Sequence, residues 1–407
     1  MNNDFSDISI KITKKIEKNT KKNNGIYFTP FSIIKKNIDI INKYINYDEC
    51  KNILEPSCGS CQFLDILTNI EELKHSNIFG IEIIKDIYDD IIKLKFNNIN
   101  TLLLNIDYLL FTTNIKFDLI IGNPPYYVIK KEKVNKEYLS YFEGRPNIFI
   151  LFIIKSLELL NVNGILSFIL PKNFINCIYY NKLREFIYTN YTILDIVECN
   201  DDKFIDTLQD TIIFIIQNKK DVINNNSKFV LSINKFIIFN TKDNIIKLKE
   251  LYENSNDLHT LKFKVNVGNI AWNEYKHLLT NDNTKTRLIY NSDINNDNTL
   301  SLFSFKNDDK KNYIDKKGVN GISIIVNRGY GVGKYIFKYS LLNVDYPYLL
   351  ENHIIYIKYI GNNDNIDVYN KILNSFNNKK TKEFIDIYFG NNAINTTELN
   401  YLLPIYL

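Results

Sequence analysis

Short apolar segments alternate with segments of helical periodicity between about residues 52 and 217. The apolar segments, each of strand length, are Ile53–Glu55, Ile78–Glu82, Leu102–Ile106, Phe117–Gly122, Ile165–Leu170, Ile193–Val197 and Thr211–Ile216. The segments between them that predict helices include Gln62–Ile70, Lys85–Lys95, Ile148–Leu160 and Tyr180–Thr189. Strands that are apolar throughout and separated by helices are typical of a parallel sheet covered on both faces. The pattern therefore predicts an α/β fold, a doubly wound, Rossmann-like domain with a seven-stranded sheet, and the polar stretch Asn200–Asp210 predicts that the last two strands form a hairpin.

The alternation ends after residue 217, which predicts a change of domain. A polar break, Asn218–Ser227, follows, and beyond Lys242 short strand-like pieces lie among loops rich in Asn and Asp. We expect a basic N-terminal arm over residues 1–24, the α/β domain over 25–244 and a smaller α+β domain over 245–407. The arm carries six lysines against three acids and is either a solvated helix or a flexible segment that contacts DNA.

The composition excludes several classes of protein. With 45% hydrophobic and 24% charged residues, the chain is neither disordered nor collagen-like. A net charge of +4 excludes a generally basic nucleic-acid coat protein but leaves room for a local basic face. No apolar stretch reaches the roughly 20 residues of a membrane span. Because Cys58 and Cys61 form a C-x-x-C without a second pair at zinc spacing, we expect reduced thiols, no metal and a soluble intracellular protein.

Acidic residues stand at the ends of the first three predicted strands. Glu55 begins a tight turn that contains Gly59 and leads into a helix, while Glu82 and Asp107 end the next two strands. In doubly wound sheets a ligand binds at the carboxyl ends of the strands, and an acid about 20 residues beyond the glycine turn is placed to bind a ribose. Each acid taken singly could be an ordinary loop residue. Together they predict a site for a nucleoside-containing cofactor.

The most specific motif is Asn123-Pro124-Pro125-Tyr126, directly after an apolar strand. The two prolines hold the backbone extended and remove two N–H donors. The Asn123 amide oxygen and the Pro124 carbonyl can then both accept hydrogen bonds from one exocyclic amino group, and Tyr126 offers a ring for stacking. The motif predicts a site that orients and activates an amino nitrogen.

The order of these motifs resembles that of the gamma-class DNA adenine-N6 methyltransferases, which use S-adenosylmethionine. Ile26–Pro30 resembles the family's N-terminal cofactor motif and is followed by the glycine turn, by Asn123–Tyr126 and by a C-terminal domain. The resemblance implies a methyltransferase fold over residues 25–244, double-stranded DNA as the substrate and a target-recognition domain over residues 245–407. It also implies a monomer that works without a nuclease of its own, with any cognate restriction endonuclease encoded separately, in a bacterial cytoplasm or that of a virus-infected cell.

The resemblance assigns roles to residues of the first domain. From the methionine end of the cofactor to its adenine, it implies contacts from Thr29, Pro30, Glu55, Gly59, Glu82 and Asp107, with Asn123 beside the transferred methyl group. Asn123 and Pro124 would hold the target amino group, and Tyr126 and Phe204 would hold the flipped adenine between them. The alternative for Phe204 is a loop residue packed on a strand. The family's usual Gly-x-Gly has Cys61 as its last residue here, which would weaken cofactor binding if that position needs a positive φ.

Parts of the second domain resemble the family's recognition domain. The likeness lies in Val267–Asn273 and Arg287–Asp293, whose sequences are similar to those of enzymes that modify CTGCAG-type palindromes. Asn327–Lys334 predicts a glycine hairpin whose Arg328 and Lys334, together with Arg287, contact phosphates or base edges. The alternative for this hairpin is a plain surface turn.

Two other functions are compatible with the same motifs. Asn-Pro-Pro-Tyr also occurs in methyltransferases that modify a protein glutamine amide or an RNA amino group, although the long second domain favours DNA. A DNA-binding module with a vestigial cofactor fold is the non-enzymatic alternative, and cofactor binding distinguishes it.

Overall fold

The computed structural model describes residues 4–199, 204, 209–219, 226–328, 335–362, 364–389 and 393–407. The chain divides into two units, residues 1–245 and 246–407. Lys334 and the neighbours of Phe204 lie outside the described residues. None of the helices in the described ranges is long and apolar enough to cross a lipid bilayer.

The N-terminal segment is helical and belongs to the first unit. Its helices are α1 (Asp7–Lys15) and α2 (Lys18–Asn24), and Ser6 caps the first by accepting a hydrogen bond from the Ser9 amide. Ile12 is 1% exposed, and Lys11 forms an ion pair with Asp90 at 2.9 Å. Of the two alternatives for this basic segment, the structure shows a helix, because its apolar side is buried against the unit.

The first unit follows the predicted alternation of strands and helices. Its remaining elements are α3 (Phe31–Ile41), β1 (Asn52–Glu55), α4 (Gln62–Leu67), β2 (Asn77–Ile81), α5 (Lys85–Ile91), β3 (Thr101–Leu104), β4 (Phe117–Gly122), α6 (Ile148–Leu159), β5 (Leu160–Pro171), α7 (Asn181–Asn190), β6 (Thr192–Glu198), β7 (Thr211–Gln217), β8 (Val230–Ile233) and β9 (Phe236–Phe239). α8 (Lys242–Tyr252) contains the boundary between the units. β8 and β9 form a separate hairpin.

The seven-stranded sheet has the order β3-β2-β1-β4-β5-β7-β6. β1 to β5 pair in parallel, whereas β7 runs antiparallel to both β5 and β6. The predicted α/β fold and the hairpin of the last two strands are therefore confirmed. The strand order reverses between β1 and β4, so the carboxyl ends of these two strands flank the crevice where such folds bind ligands.

Alternate side chains of the strands enter two hydrophobic clusters on opposite faces of the sheet. In β4, Ile120 belongs to the cluster built on α6, whereas Leu119 and Ile121 belong to the cluster that contains α3 and α4. Every residue of α6 except Glu158 is buried, as its continuous apolar sequence requires. Burial on both faces gives the site at the sheet edge a rigid support.

The second unit is α+β. Its elements are β10 (Phe263–Val267), β11 (Leu279–Thr280), β12 (Thr286–Ile289), β13 (Tyr313–Ile314), β14 (Ser323–Asn327), β15 (Tyr339–Leu342), β16 (Tyr348–Leu350), β17 (Ile354–Tyr359), α9 (Ile366–Phe376), α10 (Lys379–Tyr388) and α11 (Thr396–Tyr401). They form two four-stranded sheets, β10-β17-β14-β15 and β11-β13-β12-β16. Gly268 follows β10 where the backbone of the Leu350–Glu351 segment passes, and a Cβ there would lie 2.1 Å from the Glu351 carbonyl oxygen. This close approach of two backbone segments explains the glycine in Val267–Asn273.

Candidate active site

A cavity of about 250 Å³ lies at the carboxyl ends of the central strands. Four of the predicted site residues line it: Gly59, Glu82, Asp107 and Asn123. A smaller cavity of about 40 Å³ is lined by Thr29 and Glu55 as well as by Gly59 and Asn123. The structure thus brings together residues from five separate segments of the sequence. Pro30 is buried next to Thr29 and lines neither cavity.

Glu55 is a buried carboxyl group with an unsatisfied oxygen. It is 2% exposed, and its Oε2 has no hydrogen-bond partner among the described residues. Burial raises the pKa of Glu55 well above its usual value, and Cys61 and Glu82 raise it further. An unpaired buried oxygen is costly, so this position suits a ligand that brings a donor or a positive charge.

Glu82 is held by backbone donors at the edge of the larger cavity. Its Oε2 accepts a hydrogen bond from the Gly59 amide at 3.1 Å and its Oε1 one from the Ile84 amide at 2.7 Å. Burial raises the pKa of Glu82 from 4.5 to about 7, although these backbone donors act in the opposite direction. Each carboxylate oxygen has a further lone pair available to a ligand hydroxyl group.

Two positions of the glycine turn have left-handed backbone conformations. Gly59 has φ 51°, and Cys61 has φ 63° and ψ 24° at the start of α4. The last position of the family's Gly-x-Gly therefore does require a positive φ, and here a cysteine adopts it. Cys61 is 1% exposed and lies beside Cys58, whose thiol pKa is raised by burial. Among the residues that the structure describes, no group of three His, Cys, Asp or Glu side chains could hold a metal ion.

Asp107 lies beyond the strand that was expected to contain it. β3 ends at Leu104, and Asp107 caps a single 3₁₀ turn, Tyr108–Leu110, by accepting a hydrogen bond from the Leu109 amide at 2.9 Å. Asp107 and Tyr127 both line the larger cavity. Sequence reasoning missed Tyr127, and its position directly after the Asn123–Tyr126 motif was the only signal for it.

The Asn123 carboxamide has a defined partner at each end. Its Nδ2 donates a hydrogen bond to Thr29 Oγ1 at 3.0 Å, and the Tyr126 hydroxyl lies 2.5 Å from its Oδ1. The Ser57 hydroxyl donates to the Asn123 carbonyl at 3.1 Å. The Pro124 carbonyl receives no hydrogen bond within the described part of the chain. Two carbonyl-type acceptors therefore belong to consecutive residues directly after β4, of which Asn123 lines the cavity and Pro124 is buried.

The structure does not bring the two predicted stacking residues together. Tyr126 is partly buried and packs edge-to-face on Phe149, with the ring centroids 6.0 Å apart. Phe204 is 6% exposed and belongs to the hydrophobic cluster on the other face of the sheet. In this structure Phe204 therefore has the packed arrangement that was its alternative, and its role at a flipped base stays a prediction.

The comparisons with known proteins match this architecture. The Eco57I restriction-modification methylase family matches residues 9–205. The matched residues contain β1 to β6, the glycine turn and the Asn123–Tyr126 motif. The whole chain is similar to the type II methyltransferase M.CvrRI of Paramecium bursaria Chlorella virus XZ-6E, with 27% identity over 388 residues that cover 93% of each chain. It is also similar to the modification methylase CviBIII of Paramecium bursaria Chlorella virus NC1A, with 31% identity over 196 residues, 47% of this chain and 50% of that one.

Among solved structures, this chain is similar in fold to the type IIL restriction-modification enzyme MmeI in complex with DNA. The TM-score is 0.55 at 12% identity, over 97% of this chain and 70% of the other. The family match and the likeness to type II methyltransferases make the protein a DNA methyltransferase with S-adenosylmethionine as its cofactor.

The cavity residues fit this cofactor. The unpaired Oε2 of Glu55 suits the ammonium group of the methionine part, and the free lone pairs of Glu82 suit the hydroxyl groups of the ribose. A side chain at position 59 would be disfavoured, because a Cβ there would lie 3.3 Å from the Phe28 ring in a backbone conformation with positive φ.

The structure corrects the expectation for one of the three DNA-binding candidates of the methylase. Arg287 on β12 is 7% exposed, and its guanidinium pairs with the fully buried Asp293 at 2.7 Å and donates to the Asn312 carbonyl at 2.8 Å. It therefore stabilises the interior of the second unit instead of presenting a free side chain to DNA. Arg328, directly after β14, is exposed as expected. Lys334 lies outside the described residues.

Proposed function

We propose that this methylase transfers the methyl group of S-adenosylmethionine to N6 of an adenine that has been flipped out of duplex DNA. The observation that carries the proposal is Asn123, which lines the cavity and whose Oδ1 is an acceptor directly after β4, followed in sequence by the Pro124 carbonyl, which receives no hydrogen bond in the described part of the chain. An exocyclic amino group has two N–H donors, which match these two acceptors. A base inside a duplex could not reach them, so the target must leave the stack.

The two acceptors would activate the nitrogen as well as hold it. Hydrogen bonds from both N–H groups to carbonyl-type oxygens draw the nitrogen toward tetrahedral character, which localises its lone pair. Asn123 Oδ1 has two lone pairs, so it can accept from the target while it accepts from Tyr126. The bound cofactor supplies an electrophilic methyl group. The contribution of the chain is positioning and electrostatic stabilisation.

We further propose that the second unit selects the target sequence. Arg328 is exposed at the end of β14 and is available to a phosphate or a base edge. The likeness of Val267–Asn273 to the recognition domain of the family supports a palindromic site of the CTGCAG type. The family resemblance also implies that the protein acts as a monomer and that any cognate endonuclease is a separate chain.

The direct test is methyl transfer to duplex DNA in vitro. The purified protein is incubated with labelled S-adenosylmethionine and genomic DNA that lacks modified adenine, the product nucleosides are identified by mass spectrometry, and single-molecule sequencing locates the modified bases. We expect N6-methyladenine at one short recurring sequence. Label that appears in RNA or in a protein glutamine, with none in DNA, would overturn the proposal.

A matched pair of asparagine variants connects the activity to the site. Asn123→Ala should abolish transfer and retain most of the affinity for S-adenosylmethionine measured by calorimetry. Asn161→Ala is the control, because Asn161 is exposed and bonds to Asp118 at the other end of the sheet. Turnover of Asn123→Ala at the wild-type rate would contradict the assignment.

A further inference from the structure

The hydrogen-bonding groups around the Asn123 carboxamide differ at its two ends. On the Nδ2 side, Thr29 Oγ1 lies at 3.0 Å and the carbonyl oxygen of Tyr27 at 3.5 Å. On the Oδ1 side stands the Tyr126 hydroxyl. A backbone carbonyl only accepts hydrogen bonds, whereas a hydroxyl group can donate or accept.

This asymmetry decides which end of the amide, Oδ1 or Nδ2, faces the amine that accepts the methyl group. A carboxamide rotated by 180° would place Oδ1 against the Tyr27 carbonyl oxygen, and two acceptors repel each other. It would also direct Nδ2, which donates only, toward a target amino group that must itself donate. The rotated amide therefore has the wrong polarity for the reaction, although its shape is almost unchanged.

Thr29 is itself held rigidly. It is 7% exposed, and its carbonyl oxygen accepts a hydrogen bond from Gln62 Nε2 at 3.1 Å. Gln62 is the first residue of α4, directly after the glycine turn, and is 4% exposed. The position of the Thr29 hydroxyl is thus tied to the turn that lines the cofactor cavity.

We propose that Thr29 is a positioning residue whose hydroxyl holds the Asn123 carboxamide in the orientation that the Tyr27 carbonyl selects, so that Oδ1 faces the target amine. The inference rests on the function proposed above and adds a link from the N-terminal cofactor motif to the methyl acceptor. It differs from the role that the family resemblance gives Thr29, which is contact with the methionine part of the cofactor.

The test compares Thr29→Val, which keeps the shape and removes the hydroxyl, with Thr29→Ser, which keeps the hydroxyl. Loss of one hydrogen bond predicts a single-turnover rate about tenfold lower for Thr29→Val. Its affinity for S-adenosylmethionine, measured by calorimetry, should stay within about twofold of wild type. Thr29→Ser should restore the rate. Thr68→Val is the control for a buried threonine hydroxyl, since the Thr68 hydroxyl donates to the carbonyl oxygen of nearby Asp65.

Two results would overturn the proposal. One is weaker cofactor binding by Thr29→Val with an unchanged rate at saturating cofactor, which would mean that the hydroxyl serves the cofactor. The other is additivity of Thr29→Val and Asn123→Ala in a double-mutant cycle on unfolding by denaturant, which would mean that the two side chains do not interact. The cycle needs no activity, so it tests Thr29 even if the wild-type protein methylates no DNA adenine, a result that would defeat only the proposed function.

Discussion

The hydroxyl oxygen of Tyr126 lies 2.5 Å from Asn123 Oδ1, and the same oxygen lies 2.7 Å from the carbonyl oxygen of Ile169 on β5. Burial raises the pKa of Tyr126 well above its usual value, so the hydroxyl stays neutral and has one proton to share between these two acceptors. The ring was expected to act only as a stacking surface. Its hydroxyl also connects the Asn123 carboxamide to the central sheet.

Substitution of Tyr126 separates these two roles. Tyr126→Phe keeps the ring and removes the hydroxyl, so we expect near-normal DNA affinity. Its single-turnover rate should be lower, because loss of one hydrogen bond raises the activation free energy by about 1 kcal/mol. Tyr126→Ala also loses stacking worth ~1–3 kcal/mol per base and should be slower still. Rapid-quench measurement of methyl transfer tests both. Equal rates for the two variants would show that the ring does not contact the base.

Phe204 offers a similar separation of stacking from packing. Phe204→Leu preserves most of the buried volume and removes the aromatic face, so its stability should change by less than about 1.5 kcal/mol. If the ring reaches the flipped adenine in the DNA complex, Phe204→Leu loses a stacking free energy of ~1–3 kcal/mol, and its turnover falls. We expect this lower turnover, measured beside a thermal unfolding curve. Unchanged turnover in both Tyr126→Ala and Phe204→Leu would refute the aromatic sandwich.

The raised pKa of Glu82, about 7, predicts two effects of pH. The folded protein holds a proton that the unfolded chain releases near 4.5, so the stability of the ligand-free protein should decrease as pH rises from about 4.5 to about 7. An ionised carboxylate accepts ribose hydroxyl groups better, so cofactor affinity should rise over the upper part of this range and then level off. Calorimetry in two buffers of different ionisation enthalpy should detect proton release on binding below pH 7. Glu82→Gln is the control, and undiminished proton release in it would contradict the assignment.

Cys61 predicts the order of stability of two small substitutions. A non-glycine residue at φ 63° is strained by about 1–2 kcal/mol, and a helix N-cap, the position of Cys61, also favours glycine over alanine. Both variants lose the buried sulfur, so that loss cancels in the comparison. Cys61→Gly should therefore unfold at a higher denaturant concentration than Cys61→Ala. The opposite order would mean that the turn relaxes to a negative φ.

The two described arginine candidates of the second unit should respond in opposite ways. Arg287→Met leaves Asp293 buried without its charged partner and should destabilise the protein by about 3–5 kcal/mol. Arg328→Ala changes an exposed side chain, so we expect normal unfolding and weaker DNA binding with a smaller dependence on salt. Thermal unfolding and DNA titrations at several salt concentrations check the pair. DNA affinity of Arg328→Ala equal to wild type at every salt concentration would remove Arg328 from the interface.

The strands could be located from the sequence because burial on both faces demands continuous apolar runs. β4 has the predicted bounds, Phe117–Gly122, and β7 differs by one residue. The end of β3 was predicted less well, because Ile106 continues the apolar pattern after the strand has ended at Leu104. Apolar periodicity records burial, whereas the end of a strand depends on where backbone hydrogen bonds stop.

Charge and burial of single side chains could not be read in the same way. Arg287 was predicted to bind DNA because Arg287–Asp293 resembles the family's recognition domain, yet its partner Asp293 makes it an interior residue. Phe204 lies in the core, although a loop position suggested access to the base. Both depend on partners that are distant in space or sequence, which local pattern does not encode.

By itself the sequence determined the α/β architecture and located the glycine turn and the Asn123 carboxamide, since each depends on contiguous residue types with one physical use. Only the tertiary structure decided how these parts interact. It brought Thr29 to within 3.0 Å of Asn123, left Glu55 Oε2 unpaired and put Cys61 in a left-handed conformation. The reason is that hydrogen bonds and ion pairs act over a few ångströms, and 94 residues of chain separate Thr29 from Asn123.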